Sequence, residues 1–291
     1  MANQDHIRNP IEWTADQIKT AGLAVAHAGH ALRSHEEGGD LNLPAVRRIT
    51  VADLGDVLAK GLNDFGACRT DVIFLCIVYP LAGLLMAWSA FNYDIVPLLF
   101  PLASGFALVG PIAAVGLYEM SRRREQGADA NWAHAFGVLA TPAFGAILVL
   151  GLVLFGIFLL WLVTAYTIYH VTMGHEGGAS LGAFYHDVFT TSEGGALIVV
   201  GVGVGFLFAL LVLTISVVSF PMLLDRDVGL YTAVATSVRA VLANPVPMAV
   251  WGLIVAGGLL FGSLPLLLGL IVVMPVLGHA TWHLYRAVVP R

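Results

Sequence analysis

Six long apolar stretches dominate the sequence, and none of them contains Asp, Glu, Lys or Arg. They run from Val72 to Ala90, Ile95 to Tyr118, Ala143 to Tyr169, Ala196 to Leu224, Pro247 to Gly262 and Leu266 to Tyr285. A helix needs about 20 apolar residues to cross a bilayer, because each residue adds about 1.5 Å toward a hydrocarbon core of about 30 Å. Only 11% of the side chains are charged, against about 25% in soluble domains. We therefore expect an all-α integral membrane protein with six transmembrane helices.

The fifth and sixth stretches are predicted to form a hairpin. Together, Pro247 to Tyr285 is far too long for a single crossing, and Gly262-Ser263-Leu264-Pro265 supplies turn residues between them. The total number of spans is then even, so both termini lie on the same side of the membrane.

The lysine and arginine residues indicate which side that is. They are Arg8, Lys19, Arg33, Arg47, Arg48, Lys60, Arg69, Arg122, Arg123, Arg124, Arg226, Arg239, Arg286 and Arg291, all in the N-terminal segment, the second and fourth connections or the tail. The other connections, around Asp94, from His170 to Glu193 and around Ser263, contain none. Because positive residues accumulate on the cytoplasmic side, we expect both termini in the cytoplasm.

The six spans show signs of an internal repeat. Amphipathic segments precede the three odd-numbered spans. The first of them begins with a capping box from Thr50 to Asp53 and is predicted to carry an apolar face of Leu54, Val57, Leu58, Leu62 and Phe65. Each even-numbered span has a proline near its cytoplasmic end, at Pro111, Pro221 and Pro275. We infer three parallel two-helix repeats, each preceded by an amphipathic cytoplasmic helix. The repeats cover about 50–124, 129–226 and 229–286, with an outer-loop insertion at 170–193.

The N-terminal residues 1–44 form an extension to the membrane domain, which covers 45–291. Asn9 and Pro10 predict a helix start, and Gly38-Gly39-Asp40 interrupts the chain after it. The helix carries an apolar stripe lined by small residues, with Ile11, Ile18, Val25 and Leu32 at seven-residue spacing. It could lie on the bilayer or the bundle, or it could form a dimerisation seam.

Two groups of residues could bind a metal or cofactor. His279 and His283 are four residues apart, on one helix face, and Glu119 occupies the position matching His283 in the first repeat. The alternative is that these side chains anchor the helix ends at the headgroups. The outer loop offers a second set of metal ligands, His170, His175, Glu176, His186 and Asp187, although its glycines favour a solvated loop.

The sequence contains no recognised catalytic motif, and we predict neither catalytic residues nor a cofactor. The net charge of -5 argues against a nucleic-acid partner. Spans without ionisable residues argue against a proton-coupled or sodium-coupled transporter. Pairs of glycines four residues apart, Gly201 with Gly205 and Gly258 with Gly262, predict close helix packing.

Several longer motifs resemble a known family. They are Val46-Arg47-Arg48-Ile49-Thr50-Val51-Ala52-Asp53-Leu54, Asp71-Val72-Ile73-Phe74-Leu75, Pro101-Leu102-Ala103-Ser104-Gly105-Phe106, Gly116-Leu117-Tyr118-Glu119, Arg124-Glu125-Gln126-Gly127 and the run from Gly278 to Arg286. The chain from about Leu43 onward resembles the bacterial family called domain of unknown function 2189. The resemblance implies a bacterial inner-membrane protein and supplies no established activity.

Some members of that family carry a cytochrome c oxidase label. An oxidase catalytic subunit needs about a dozen spans and six intramembrane histidines, whereas only His279 and His283 lie within a predicted span. Three hypotheses follow. The first is a non-catalytic membrane bundle that associates with partner proteins or with itself. The second is a pore or permease for a neutral or lipid-like substrate, and the third is an accessory or assembly subunit of a respiratory complex.

Overall fold

The structure is a computed structural model that describes residues 43–174 and 181–291, apart from 78–79, 82, 86–87 and 89–98. Within these ranges all regular structure is helical, which confirms the predicted all-α class. The helices are α1 (Asp53–Cys76), α2 (Leu99–Leu108), α3 (Gly110–Ala113), α4 (Val115–Glu125), α5 (Trp132–Ala135), α6 (Phe144–Met173), α7 (Leu181–Thr190), α8 (Ser192–Ser216), α9 (Ser219–Asp225), α10 (Leu230–Ala243), α11 (Pro245–Ser263) and α12 (Leu270–Val288). A 3₁₀ helix, Phe136–Ala140, follows α5.

Three helical segments in the described part of the chain are long and apolar enough to cross a membrane. They are Phe144–Met173, Ser192–Asp225 and Pro245–Ser263, with mean hydropathies of 3.0, 2.9 and 1.8. They correspond to the third, fourth and fifth predicted spans. The described residues do not include 78–79, 82, 86–87 and 89–90 of the first predicted span, 95–98 of the second, or the N-terminal extension up to residue 42.

The sixth predicted span, Leu266 to Tyr285, differs from these three. Helix α12 begins only at Leu270, and it contains Pro275. Its second half carries His279, His283 and Arg286, which lower its hydropathy, so it is not among the three segments above. This half is nevertheless largely buried, with Trp282, Leu284 and Tyr285 each 0% exposed.

An irregular residue interrupts or follows each predicted amphipathic segment near the position that the sequence pattern indicates. Helix α1 has non-helical dihedral angles at Cys68, just before Thr70, and then continues to Cys76. The 3₁₀ helix ends at Thr141, which is extended, because a residue before proline avoids the helical region. Asn244 similarly separates α10 from α11, which starts at Pro245. The capping box is also confirmed, since the backbone N–H of Thr50 donates to Asp53 Oδ2 at 2.6 Å.

Helices α11 and α12 form the predicted hairpin. The turn between them contains Leu266 and Leu267 in left-handed conformations, with φ of 51° and 66°. The pair Gly258 and Gly262 faces α12, and a Cβ on Gly262 would lie 2.9 Å from Leu270 Cδ2 and 3.2 Å from Val273 Cγ2. These glycines therefore allow the close packing that their spacing predicted.

The buried centre of the described residues lies where α12 crosses α1, with α4 and α9 packed beside it. The two crossing backbones approach at Gly61, where an added Cβ would lie 2.7 Å from both the Cβ and the backbone nitrogen of Ala280. A similar approach occurs between α12 and α4, where a Cβ on Gly278 would lie 2.6 Å from Leu117 Cδ1. This packing brings polar residues of α1, α4 and α12 into direct contact.

Candidate functional site

The site with the most developed chemistry is a polar cluster around Asp64 of α1. The carboxylate accepts hydrogen bonds from Ser121 at 2.6 Å and from the guanidinium of Arg124 at 2.9 Å, both on α4. Nε2 of His283 on α12 lies 2.8 Å from the same carboxylate. The side chain of Asp64 is 9% exposed, so three separate segments of the chain meet at a largely buried anion.

The hydrogen bonds determine the ionisation of Asp64. Burial alone would raise the pKa of this carboxyl, but hydrogen bonds from His283 and Ser121, the charge of His283 and the hydrogen bond from Arg124 outweigh it. The pKa of Asp64 is therefore held below its ordinary value. Asp64 is an anion at neutral pH and accepts from all three partners.

His279 extends the cluster into the core. Its Nδ1 lies 2.8 Å from Ser121 Oγ, and the residue is 0% exposed. Because Ser121 donates its proton to the ionised Asp64, its oxygen can only accept from His279. This assigns the proton of the neutral ring to Nδ1, leaving a lone pair on Nε2. Nε2 is buried and has no hydrogen-bond partner among the described residues.

A second group of ion pairs joins α12 to α4 and α9. Glu125 Oε1 lies 3.1 Å from Arg286 Nε, and Glu125 Oε2 accepts from the indole of Trp282 at 3.1 Å. Asp225 Oδ2 accepts from Tyr285 at 2.8 Å and from Arg286 at 3.2 Å. Arg286 thus joins α4 to α9 through Glu125 and Asp225, which are 100 residues apart in the chain.

Glu119 and the two histidines bond to different partners. Its carboxylate pairs with Arg122 at 2.8 Å and with Arg123 at 3.7 Å. His279 and His283 instead contact Ser121 and Asp64. In the described part of the chain, no three His, Cys, Asp or Glu side chains are grouped as a metal site. A haem or metal site on Glu119, His279 and His283 stays a hypothesis, as does anchoring of the helix ends by these side chains.

The outer-loop set is only partly described, because His175 and Glu176 lie outside the described residues. His170 is at the end of α6, where its ring packs against Tyr166 with centroids 4.1 Å apart. His186 and Asp187 lie on α7, and their backbone carbonyls accept from Thr190 and Thr191 at 2.6 Å. Metal binding by this loop stays a hypothesis, beside the solvated loop that its glycines favour.

A solvent-facing cleft of about 380 Å³ adjoins the Asp64 cluster. It is lined by Asp56, Ala59, Lys60, Asn63, Asp64 and His283. The cleft gives water access to the outer side of the cluster, whereas His279 is enclosed on the inner side. The arrangement can hold charge and orient protons, and it fixes α1, α4 and α12 to one another.

Sequence reasoning did not identify Asp64, Ser121, Glu125 or Asp225. A signal for Asp64 exists, since it follows Val57 and Gly61 at helical spacing on the buried face of α1. The apolar face predicted from the sequence instead included Leu62, which is 54% exposed. A charged residue at a core position of an amphipathic helix indicates a buried partner on another element.

Comparison with known proteins matches residues 98–225 to the family described as "Predicted integral membrane protein (DUF2189)". The matched segment runs from the start of α2 to the end of α9 and includes Glu119, Ser121 and Arg124. Asp64, His279 and His283 lie outside it. No curated protein and no solved structure matches the chain.

Proposed function

We propose that this chain, whose residues 98–225 match the DUF2189 family of predicted integral membrane proteins, is a non-catalytic protein of the bacterial inner membrane. It associates with other membrane proteins or with a second copy of itself. Both termini lie in the cytoplasm, and six spans form three two-helix repeats. The Asp64 cluster joins the cytoplasmic ends of the first and third repeats, and Asp225 with Arg286 joins the second repeat to the third.

Residues at both ends of the helices support the proposed orientation, in which the termini lie in the cytoplasm. Arg122, Arg124, Arg226 and Arg286 lie at the end that carries the Asp64 cluster. The opposite end has no Lys or Arg from residue 170 to 193. Aromatic residues gather there instead, including Tyr166, Tyr169, Tyr185 and Phe189. Aromatic side chains concentrate at membrane interfaces and cations at the cytoplasmic side.

The repeat hypothesis is supported by three similar interruptions. Proline begins or bends a helix near the same end in each even-numbered segment, at Pro111 in α3, Pro221 in α9 and Pro275 in α12. The segments before the odd-numbered spans end at Cys68, Thr141 and Asn244, as described above. Repeats of one orientation require all three interruptions on one side of the bilayer.

The observation that carries the proposal is the exposure of the segment Ser192–Asp225. Only 6% of its most apolar window is buried, compared with 28% for Phe144–Met173 and 22% for Pro245–Ser263. Val199, Phe206 and Leu207 of α8 are 73%, 64% and 61% exposed. Helix α8 therefore presents most of its circumference to lipid or to a partner.

Small residues make this surface suited to another helix. Gly205 packs against Trp161 of α6, where an added Cβ would lie 3.1 Å from the indole ring. Added Cβ atoms on Gly201 and Gly203 would meet nothing within 4 Å. In lipid, helices associate chiefly where small side chains let their backbones approach. The outer surface of α8 thus provides a site for a second transmembrane helix.

Disulfide cross-linking in native membranes tests this proposal. In a background with Cys68 and Cys76 replaced by alanine, V202C and F206C introduce thiols at exposed positions of α8. We expect oxidation to yield a disulfide-linked adduct. Its mass is twice that of the chain if the partner is a second copy, and mass spectrometry identifies the partner if it is another membrane protein. V212C is the matched control, since Val212 lies on the same helix and is only 5% exposed.

Comparison of the three cysteine positions separates specific association from random collision. Adducts at Val202 and Phe206 but not at Val212 support association through α8. Equal reactivity at all three positions would indicate random collision or unfolding. Absence of adducts, together with only monomer in native mass spectrometry from mild detergent, would contradict the proposed association.

A further inference from the structure

A second structural feature lies at the junction of α10 and α11, where buried Asn244 joins distant segments. Its Oδ1 accepts from the backbone N–H of Ile49 at 2.7 Å, and its Nδ2 donates to the carbonyl of Arg47 at 3.1 Å. Nδ2 also donates to Ala240 at 3.0 Å. These bonds fix the Arg47–Arg48 segment against the start of the span α11.

Three arginines are exposed at this corner, Arg47 and Arg48 on the fixed segment and Arg239 on α10. None of them forms an ion pair with a described residue, unlike Arg122, Arg124 and Arg286 elsewhere. The charge of Arg47 reaches the carboxylate of Asp53, which is already hydrogen-bonded to Thr50. No carboxylate among the described residues therefore compensates the charges of Arg48 and Arg239.

Arg239 belongs to an exposed face that is otherwise apolar. Tyr231, Leu242 and Val246 are 67%, 72% and 63% exposed. Tyr231, Arg239 and Leu242 lie on α10, and Val246 lies just beyond the break at Asn244, at the start of α11. A face of this composition is typical of a helix at a membrane interface, with apolar side chains in the acyl region and the cation at the headgroups.

Arg239 lies close in the chain to the start of a span. It precedes Pro245, the first residue of α11, by six residues, and the break at Asn244 lies between them. In the proposed orientation this places its guanidinium at the level of the lipid headgroups, where the phosphates lie. A guanidinium presents several donors in a plane and matches the oxygens of a phosphate.

We propose that this corner, formed by Arg48 and Arg239 on the scaffold of Asn244, binds the headgroup phosphate of an anionic phospholipid. The inference deepens the proposed membrane orientation and rests on it. Charge complementarity favours an anionic lipid over a zwitterionic one, because the ammonium group of a choline headgroup would be repelled by the second arginine. The Tyr231, Leu242 and Val246 side chains contact the acyl chains of the same lipid.

The test uses the full chain in nanodiscs of phosphatidylcholine with and without phosphatidylglycerol. Native mass spectrometry counts the phosphatidylglycerol molecules retained, and a thermal scan gives the Tm in each lipid. We expect wild type to retain phosphatidylglycerol and to gain Tm in its presence. R48Q/R239Q loses about fivefold in lipid retention per arginine, and high salt reduces retention by wild type.

Lys60 provides the matched control, since K60Q removes one positive charge from the water-facing cleft near Asp64. We expect K60Q to behave as wild type, and R48K/R239K to keep part of the preference because its charges remain. Equal lipid retention by wild type and R48Q/R239Q would overturn the proposal, as would an equal loss in K60Q. If R48Q/R239Q fails to fold, R239Q alone replaces it: a loss of about fivefold in phosphatidylglycerol retention supports the proposal, and unchanged retention contradicts it.

This result is independent of the proposed association through α8. Cross-linking at Val202 and Phe206 reports that association, while lipid retention is measured on a single chain in a nanodisc. A monomeric chain that retains phosphatidylglycerol would contradict the association only. A cross-linked chain without lipid preference would contradict the lipid site only.

Discussion

Nε2 of His283 lies 2.8 Å from Oδ2 of Asp64, although 219 residues separate them in the chain. This contact joins the last helix to the first described helix, and it is reinforced by Ser121 and Arg124 from α4. Asp64 is the shared acceptor of all these groups. Its removal should therefore affect the whole cluster rather than a single pair.

We expect D64A to lower the stability of the protein by about 2 to 4 kcal/mol, because it leaves Arg124, His283 and Ser121 without their acceptor in a largely buried site. Thermal unfolding in detergent measures the change. D56A is the control, since Asp56 is exposed one turn before Lys60 on the same helix. A D64A protein as stable as D56A would show that the cluster contributes little.

The stability contributed by Asp64 should depend on pH. Its pKa is lowered in the folded protein, so the contribution is fully present above the unfolded pKa of about 3.9 and is lost as pH falls through the folded pKa. The difference in Tm between wild type and D64N should thus be constant near neutrality and should shrink below about pH 4. A difference that persists unchanged into that acidic range would assign it to packing instead of charge.

The sequence predicted the local boundaries of the helices well. Thr141 before Pro142 and Asn244 before Pro245 restrict the backbone through steric contacts between neighbouring residues, and these contacts are the same in any fold. The capping box at Thr50 and Asp53 is local for the same reason. The number of spans and their threefold arrangement depend on packing between segments and stay predictions.

The site was less accessible to prediction. Four-residue spacing correctly placed His279 and His283 on one helix face, but spacing cannot show that one contacts Ser121 and the other Asp64. The face of α1 was also misassigned at Leu62, which is 54% exposed. The face of α1 that α12 contacts is the one that contains Gly61, because the absence of a side chain there lets the two backbones approach. Hydrophobicity alone does not identify this face.

Replacing Asn244 tests the scaffold of the arginine corner. N244A removes the acceptor of the buried Ile49 N–H and two donated hydrogen bonds. We expect a loss of about 2 to 3 kcal/mol in stability, since an unsatisfied buried group costs about 1 to 3 kcal/mol. Asn63 is the control, because N63A removes one contact with Arg124 at the protein surface. Equal Tm values for the two variants would contradict the scaffold role.

The crossing of α1 and α12 should tolerate no side chain at Gly61. An added Cβ would lie 2.7 Å from the Cβ of Ala280 and 2.8 Å from its Cα, so G61A must push two backbones apart. Overpacking of this kind costs about 1 to 3 kcal/mol, and the displacement should also weaken the nearby contact between Asp64 and His283. The control is G66A on the same helix, where an added Cβ meets nothing within 4 Å. Because alanine is the better helix former by about 1 kcal/mol, G66A should be neutral or stabilising in a thermal scan. If G61A unfolds at the same temperature as G66A, the two helices do not approach as closely as the structure shows.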